Sequence, residues 1–434
     1  MSLAARVSDA VPELLRDRPF RRFWTGQSVS LFGDQISLIA IPLTAVLVLH
    51  ADAAQMGWLT AAGLLPALLF SLAAGAWIDR RGRRRRIMIA ADLARALLMG
   101  WLPVAYILGV LSLVQLYFIA FAVGAFSVVF DVCNATLFVS LVPSRHYVQG
   151  SSLMNGSRAM SFVAGPSTGG LLVQLLAAPF ALAVDAVSYF VSAGCLARIS
   201  PAEPPLAHPT KGHFTAGLRW IARNPVMRSA LAAVATLNFV NFIFHALLVL
   251  YATSALGLSA GTLGVVLGAG AVGGLIGSVL SGRIVRRTGI GPAVVLGCVA
   301  FPVPLLLVPL ASGPTPLVLG LLFLSEFGNG IGVVILDITI GAVQAALIPD
   351  ELRSRVTGAW RTVNYGIRPI GALTGGYLGT VLGLRPALWI ATAGALLGVL
   401  WLIPSPVPRM RELPGRDDEA PAGEASAIVH SSPS

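Results

Sequence analysis

Four acidic side chains lie deep within long apolar stretches of this sequence: Asp34, Asp131, Glu326 and Asp337. Moving a charge from water into such surroundings is costly unless the charge is paired, hydrated or neutralised. A carboxylate held there can bind a proton, pair with a base or attract a cationic ligand. These positions are therefore the first candidates for chemistry.

Two of the four acids are predicted to have a basic partner. In antiparallel hairpins of consecutive helices, Asp131 would lie at a depth similar to that of Arg158, and Asp337 at the depth of Arg361. The structural interpretation is an ion pair that clamps the two helices of each hairpin. The alternative is a gate that opens when the protein changes conformation.

Asp34 and Glu326 have no obvious basic partner in the neighbouring sequence, and both are predicted near the middle of a membrane span. Each is a candidate for taking up and releasing a proton. The alternative is that Asn238, Asn241 or His245 satisfies these acids without any coupling role. We interpret His245 as a hydrogen-bonded packing residue, with a proton relay as the alternative.

Three further charges are interpreted as structural. Asp92 and Arg95 lie one helical turn apart, at positions i and i+3, which predicts an ion pair. Asp185 is predicted near the outer end of its apolar stretch, where it would cap a helix or pair.

The composition indicates the environment of these side chains. Of the 434 residues, 56% are hydrophobic and 11% are charged, whereas about a quarter of a soluble domain is charged. The cysteines and histidines have no metal-site spacing, and the only lysine, Lys211, lies outside any P-loop pattern. We therefore expect an all-α membrane protein rather than an enzyme, with no metal, cofactor or nucleic-acid partner.

Twelve apolar stretches of spanning length are separated by short polar turns. The predicted helices α1 to α12 are residues 22–49, 55–78, 86–109, 112–142, 148–176, 179–199, 226–254, 260–285, 291–311, 316–348, 354–381 and 385–404. The predicted units are an N-terminal segment 1–20, a six-helix bundle 21–199, a linker 200–224 with a surface helix, a second bundle 225–404 and a disordered tail 405–434.

Basic residues outside the predicted helices lie almost entirely on one side of the chain's path through the membrane. Only Arg385 falls in a turn on the other side. Because basic loops remain in the cytoplasm, this asymmetry predicts a bacterial cytoplasmic membrane protein with both termini cytoplasmic.

The turn between α2 and α3 reads Gly75-x-x-x-Asp79-Arg80-x-Gly82-Arg83-Arg84. Gly82 permits a sharp turn, and Asp79 can cap a helix or pair with Arg83. The pattern resembles the loop signature of the major facilitator superfamily. We interpret Gly75, Asp79, Arg80, Gly82 and Arg83 of this loop as a conformational gate, to which Arg158 and Arg361 would contribute if their hairpin pairs open.

The two halves of the sequence repeat. The loop pattern recurs from Gly282, and the run Gly165-Pro166-x-x-Gly169-Gly170 in α5 aligns with glycines from Gly371 in α11. Two six-helix halves of equal topology are typical of the resembled superfamily. The α5 run resembles the helix 5 motif of its exporters, with Ser152 and Ser161 where that motif has upstream glycines.

The resemblance implies a major facilitator fold in which α1, α4, α7 and α10 line a central cavity. It also implies that the polar residues of these helices form the proton-coupling and substrate site: Asp34, Asp131, Asn238, Asn241, His245, Glu326 and Asp337. Within the superfamily, Gly33-Asp34-Gln35 and the run from Val184 to Tyr189 resemble the branch of enterobactin exporters and macrolide efflux proteins.

The function implied by this branch is proton-coupled export of an amphiphilic small molecule such as a drug, an antibiotic or a siderophore. The expected partners are the substrate, protons and the lipid bilayer, with the protein a monomer. Three alternatives remain open at this point: an importer of the same fold, a lipid flippase of the same fold, and a membrane sensor that binds without transport.

The topology gives a first testable prediction. A C-terminal fusion to a reporter that is active only outside the cytoplasmic membrane should be silent, because the basic asymmetry places both termini inside. A fusion to a reporter active only in the cytoplasm serves as the control and should be active. Activity of the external reporter would contradict both the orientation and the even number of spans.

Overall fold

The computed structural model describes residues 13–200 and 214–413, apart from the side chains of Leu72, Ala73, Ala76, Asp79 and Phe214. These ranges are almost entirely helical and contain no strand. Most of the predicted N-terminal segment, much of the linker and most of the predicted tail lie outside the described residues.

All twelve predicted helices are present. Their observed bounds are α1 Arg18–Leu47, α2 Ala53–Arg81, α3 Arg84–Ile107, α4 Leu113–Leu141, α5 Tyr147–Leu176, α6 Ala178–Ala197, α7 Pro225–Leu250, α8 Ala260–Thr288, α9 Ile290–Ala300, α10 Thr315–Leu347, α11 Arg353–Leu382 and α12 Leu384–Ala395. The predicted surface helix is Phe214–Arg223.

Three of these helices continue beyond a local irregularity. A π-helical turn, Tyr251–Ala255, extends α7, and a 3₁₀ turn, Val303–Leu306, leads from α9 into Leu307–Leu310. A short helix, Leu397–Leu400, continues α12. In the described part of the chain, ten helical segments are long and apolar enough to cross a membrane, judged by length and composition alone. α11, which contains four arginines, and the shorter α12 complete the set of twelve.

Polar residues at the turns define where the helices begin. Asp52 caps α2 by accepting the amide of Gln55 at 2.8 Å, while the Gln55 side chain accepts the Asp52 amide at 2.9 Å. Between α2 and α3 the chain reverses within two residues, because Gly82 (φ +58°) and Arg83 (φ +52°) both adopt left-handed backbone angles. The predicted sharp turn is therefore confirmed.

The short turns divide the molecule into two ends. The basic end contains the turns 82–83, 143–146, 289 and 349–352. The far end contains the turns 48–52, 108–112, 177, 256–259, 311–314 and 383. The N-terminus of α1 and the C-terminus of α12 both lie at the basic end, as an even number of spans requires.

Each half of the chain packs in the same pattern. In the first half α1 packs against α5 and α6, and α4 packs against α2 and α3. In the second half α7 packs against α11 and α12, and α10 packs against α8 and α9. The halves meet where α5 contacts α8 and where α2 contacts α11. These two junctions are related by the internal repeat.

The junctions between the halves are built from facing glycines at the far end. A Cβ added to Gly57 would lie 2.9 Å from the Cα of Gly376, and one added to Gly170 would lie 2.9 Å from the Cα of Gly264. Gln174 adds a hydrogen bond from the Gly261 amide at 3.1 Å. Small residues permit this close backbone packing between membrane helices.

The same helices separate towards the basic end. Among the described residues, nothing outside the local helix backbone lies within 4 Å of a Cβ added to Gly75 in α2, Gly156 in α5 or Gly358 in α11. Among the described residues, the hydrogen bonds between the halves all join α5 to the start of α8 near the far end. The structure is therefore closed at the far end and open at the basic end.

This asymmetry predicts different effects of one substitution at two positions of α2. Gly57→Leu should destabilise the protein by about 1–3 kcal/mol, because the side chain would collide with the α11 backbone. Gly75→Leu should be close to neutral, because no described residue of another helix lies within 4 Å of an added Cβ there. Thermal unfolding of the purified protein in detergent measures both. An equal loss in the Gly75 variant would mean that the halves meet at the basic end as well.

Candidate functional site

The polar residues within the spans form separate groups in the two halves. In the first half the group is centred on Arg95 of α3. Arg95 pairs with Asp92 on its own helix, and both side chains are buried. The guanidinium is stacked between the rings of Phe130 and Tyr189, with centroid distances of 4.4 Å and 4.3 Å. The predicted Asp92–Arg95 pair is confirmed.

Asp34 of α1 belongs to the same group. Its carboxylate accepts the hydroxyl of Tyr189 at 2.6 Å, and the charge of Arg95 acts on it. Arg95 makes no ion pair with Asp34, so among the described side chains Asp34 has no basic partner within 4.0 Å, in line with the expectation from the sequence. The hydroxyl donor was not predicted because Tyr189 is distant in sequence and meets Asp34 only through helix packing.

Asp185 of α6 is fully buried, and its carboxylate accepts the hydroxyls of Ser37 and Ser188. The interpretation of Asp185 as a capping residue near the helix end is wrong. It packs against Gly33 of α1, where any Cβ would overlap the Asp185 and Ser188 side chains. Gly33 thus allows α6 to pack closely against α1. The next residue, Asp34, adds a second carboxylate to the same contact between these helices.

In the second half the polar group is centred on Arg368 of α11. Its Nε donates to the Asn238 side chain of α7 at 3.2 Å, and Asn238 donates to Asn364 at 3.1 Å. The guanidinium lies over the rings of Tyr365 and Phe242, at 4.9 Å and 5.3 Å. Arg368 was not predicted as a site residue, although an arginine inside an apolar span is a detectable signal.

One face of α7 has polar and aromatic side chains that are partly buried or exposed. Asn238, Asn241, Phe242 and His245 recur at helical spacing, so they lie on one face. His245 is exposed although it is in the middle of the helix, and its ring meets Phe244 edge-on at 5.7 Å. No hydrogen bond to His245 is present among the described residues, so the interpretation of a hydrogen-bonded packing histidine does not fit.

Glu326 of α10 is buried, and its Oε1 has no hydrogen-bond partner among the described residues. Gly270 of α8 faces it, with Oε2 only 3.5 Å from the position of an added Cβ. Neither Asn238, Asn241 nor His245 hydrogen-bonds to this carboxyl group, which argues against the alternative that they satisfy it. Glu326 thus differs from Asp34, which has a hydroxyl donor.

The two predicted hairpin ion pairs are absent. The ion pairs found between described side chains within 4.0 Å are Arg95–Asp92 and Arg353–Asp350. The prediction failed because the two helices of each hairpin do not pack closely on each other: α4 packs against α2 and α3, and α5 against α1 and α8. In the second half, α10 packs against α8 and α9, and α11 against α7 and α2, so α10 and α11 are also apart.

Asp131 and Asp337 are instead exposed within their spans. Arg95 is the strongest basic influence on Asp131, ahead of Arg158, and Arg368 is the base whose charge acts on Asp337. Arg361 is exposed and pairs with neither. Each half therefore has an exposed acid that is influenced by an arginine held between aromatic rings.

The α5 glycines hold the helix against two neighbours. Gly165 and Gly169 face Gln35 and Ile36 of α1, while Gly170 faces α8 across the junction between the halves. In the second half Gly371 and Gly375 face α7 in the same way. Pro166 is buried inside the same helix. The repeat predicted from spacing is thus reproduced as equivalent packing.

The predicted gate loop lies at the basic end, away from both polar groups. Gly75 faces open space, and Gly82 and Arg83 form the turn. Arg80 is exposed, and the Asp79 side chain lies outside the described part. The pairing of Asp79 with Arg83 stays a prediction.

Comparison with known proteins identifies the family to which this helical fold belongs. The sequence profile of the Major Facilitator Superfamily matches residues 23–365. The chain belongs to the Major Facilitator Superfamily, and it is a transporter-type membrane protein rather than an enzyme.

Particular relatives are similar over most of their length. The multidrug efflux pump Tap of Mycolicibacterium fortuitum is 30% identical over 401 residues, covering 88% of this chain and 93% of the relative. An uncharacterized MFS-type transporter, YfiS, of Bacillus subtilis is 25% identical, covering 87% and 90%.

Solved structures share the fold at low identity. A bacterial homologue of the iron transporter ferroportin in an inward-facing state has a TM-score of 0.70 at 20% identity, covering 91% of this chain and 99% of that one. The nucleoside transporter NupG has a TM-score of 0.74 at 11% identity, covering 89% and 98%.

The Arg95 group gives a stability prediction with a built-in control. Arg95→Gln should destabilise the protein by about 3–5 kcal/mol, because it leaves Asp92 buried without its base. Arg353→Gln removes the arginine of an exposed pair at the same i, i+3 spacing and should cost about 0–1 kcal/mol. Thermal unfolding in detergent compares them, and equal losses would show that Arg95 is not in a low-dielectric site.

Proposed function

We propose that this protein is a secondary transporter of the bacterial cytoplasmic membrane that exports an amphiphilic small molecule in exchange for protons. The observation that carries the proposal is the opening of the molecule at one end only. The halves touch through facing glycines at the far end and part at the basic end. A substrate could enter from the basic end. It would leave at the far end after the halves had closed at the basic end and parted at the far end.

Glycines that contact no other described helix support this closing of the basic end. Gly75, Gly156 and Gly358 lie on the helices that form the closed junctions, but in their basic halves. Small residues there have no packing role in the open form, and they would permit the same close backbone approach when the basic end closes. In this proposal Gly75, Asp79, Arg80, Gly82 and Arg83 hold that closed form, and Arg158 and Arg361 contribute to its pairing.

The direction of transport rests on orientation and on the relatives. The basic end is cytoplasmic in this proposal, because arginine-rich turns remain on that side. The similar protein from Mycolicibacterium fortuitum is named a multidrug efflux pump, which favours export of drug-like compounds. The predicted units 21–199 and 225–404 would move as the two rocking halves of a monomer.

The substrate site is proposed on the open faces of both halves. Asp131, Asp337 and His245 are exposed within their spans. Phe242 and Tyr365 add aromatic surface that is fixed under Arg368. Exposed acids and aromatic surface in one cavity would suit an amphiphilic molecule with a basic group.

Proton coupling is assigned in this proposal to Glu326 and Asp34. Glu326 is the stronger candidate, because it is buried with one oxygen unpartnered. A proton neutralises such a group at little structural cost. Asp34, bonded to Tyr189 and influenced by Arg95, would couple more weakly.

The corresponding experiment measures transport in proteoliposomes with a fluorescent amphiphilic cation. Glu326→Gln mimics the protonated acid, so it should abolish accumulation driven by a pH gradient while sparing exchange of substrate without a gradient. Asp34→Asn should reduce gradient-driven transport less. Glu351→Gln, which removes an exposed acid at the basic end, is the control and should leave both activities unchanged.

Unchanged gradient-driven transport in both the Glu326 and Asp34 variants would remove these residues from the coupling mechanism. Accumulation in the opposite direction would overturn export in favour of import. Binding of the cation without any exchange would favour a sensor.

A further inference from the structure

A groove of about 650 Å³ lies at the basic end between α2, α3 and α4. Its walls include Trp77, Ile87, Phe126 and Val129. Its rim includes three arginines at the junction of α2 and α3: Arg81 at the end of α2, Arg83 in the turn and Arg86 in the first turn of α3. None of the predicted substrate or proton residues lines it. The groove is thus apolar along its length and strongly basic at its mouth.

The groove is continuous with the outer surface of the bundle rather than with its open interior. Starting from Arg86 and Ala90, which line the groove, the exposed positions of α3 continue through Leu93, Leu97 and Trp101. Their spacing of three and four residues puts them on one helix face. An exposed apolar helix face in a membrane protein contacts lipid, so the groove opens to the bilayer.

The rim arginines have donors available for a ligand. Arg81 lies over the Trp77 ring at 4.8 Å, which holds its guanidinium beside the groove. Arg81, Arg83 and Arg86 make no hydrogen bond or ion pair with any side chain that the structure describes. By contrast, Arg85 from the same turn donates to the Ala197 carbonyl at 3.1 Å.

We propose that this groove binds an anionic phospholipid. The phosphate would be held by Arg81, Arg83 and Arg86, because guanidinium groups bind phosphate through paired hydrogen bonds. An acyl chain would lie along Trp77, Ile87 and Phe126. Basic pockets between membrane helices at the headgroup level suit this ligand class, and the positive rim favours an anionic over a zwitterionic headgroup.

The proposal is independent of the transport direction, since a phospholipid headgroup is present at either membrane face. It also gives a role to the left-handed backbone of Arg83, which is strained for a residue with a side chain. That conformation places three arginines around one turn at the mouth of the groove.

The test is lipid binding to the purified full-length protein in detergent, followed by thermal unfolding and by native mass spectrometry. Phosphatidylglycerol should raise the unfolding temperature and remain bound, whereas phosphatidylcholine and soluble glycerol phosphate should not. Replacing Arg81, Arg83 and Arg86 together by Gln should weaken phosphatidylglycerol binding about 100-fold.

Two further variants separate the groove from general electrostatics. Replacing Arg283, Arg286 and Arg287 by Gln removes the same charge from the repeat-related turn at the same end, and it should leave binding intact. Ala90→Trp fills the groove without changing charge, and it should abolish binding. Equal losses in both triple variants, full binding to the Ala90 variant, or equal stabilisation by glycerol phosphate would each overturn the proposal.

Discussion

The architecture depends on direct backbone contact between the two halves at one end of the molecule. Gly57 meets Gly376 and Gly170 meets Gly264, and each pair leaves no room for a side chain. Because membrane helices gain little from apolar burial against lipid, such close packing is a main source of their association. These glycine pairs lie towards the far ends of their four helices, whereas Gly75, Gly156 and Gly358, nearer the basic end, have no such neighbour among the described residues. The opening at the basic end follows directly.

Charges within the spans are stabilised separately in each half, and this is consistent with halves that move. Arg95 is held by Asp92 and two aromatic rings of the first half, and Arg368 by Asn238 and two rings of the second. None of these contacts crosses the junction between the halves. A change in the angle between the halves therefore need not expose or unpair either arginine, so its electrostatic cost is low.

The fold was predictable from sequence, whereas much of the site was not. Hydrophobic runs, turn residues and the offset between repeated glycines determined the helices closely, since these signals are local. The failed ion pairs of Asp131 and Asp337 show the limit. They assumed that consecutive helices pack side by side, but the three-dimensional order of helices separates them. The partners of Asp34 and Asp185 were missed for the same reason, because they lie on helices that are distant in sequence.

The repeat also explains why the two halves are chemically unequal. Equivalent glycines on α5 and α11 retain equivalent packing, because backbone contact tolerates no other residue. The polar positions have no such constraint, so the first half has several acids around one arginine, and the second has one arginine among amides and a separate buried acid. Glu326 is the buried acid whose Oε1 has no hydrogen-bond partner among the described residues, and burying such a group as a charge is costly. The glycines that are equivalent in both halves therefore maintain the fold. The polar residues, which differ between the halves, are free to acquire a function.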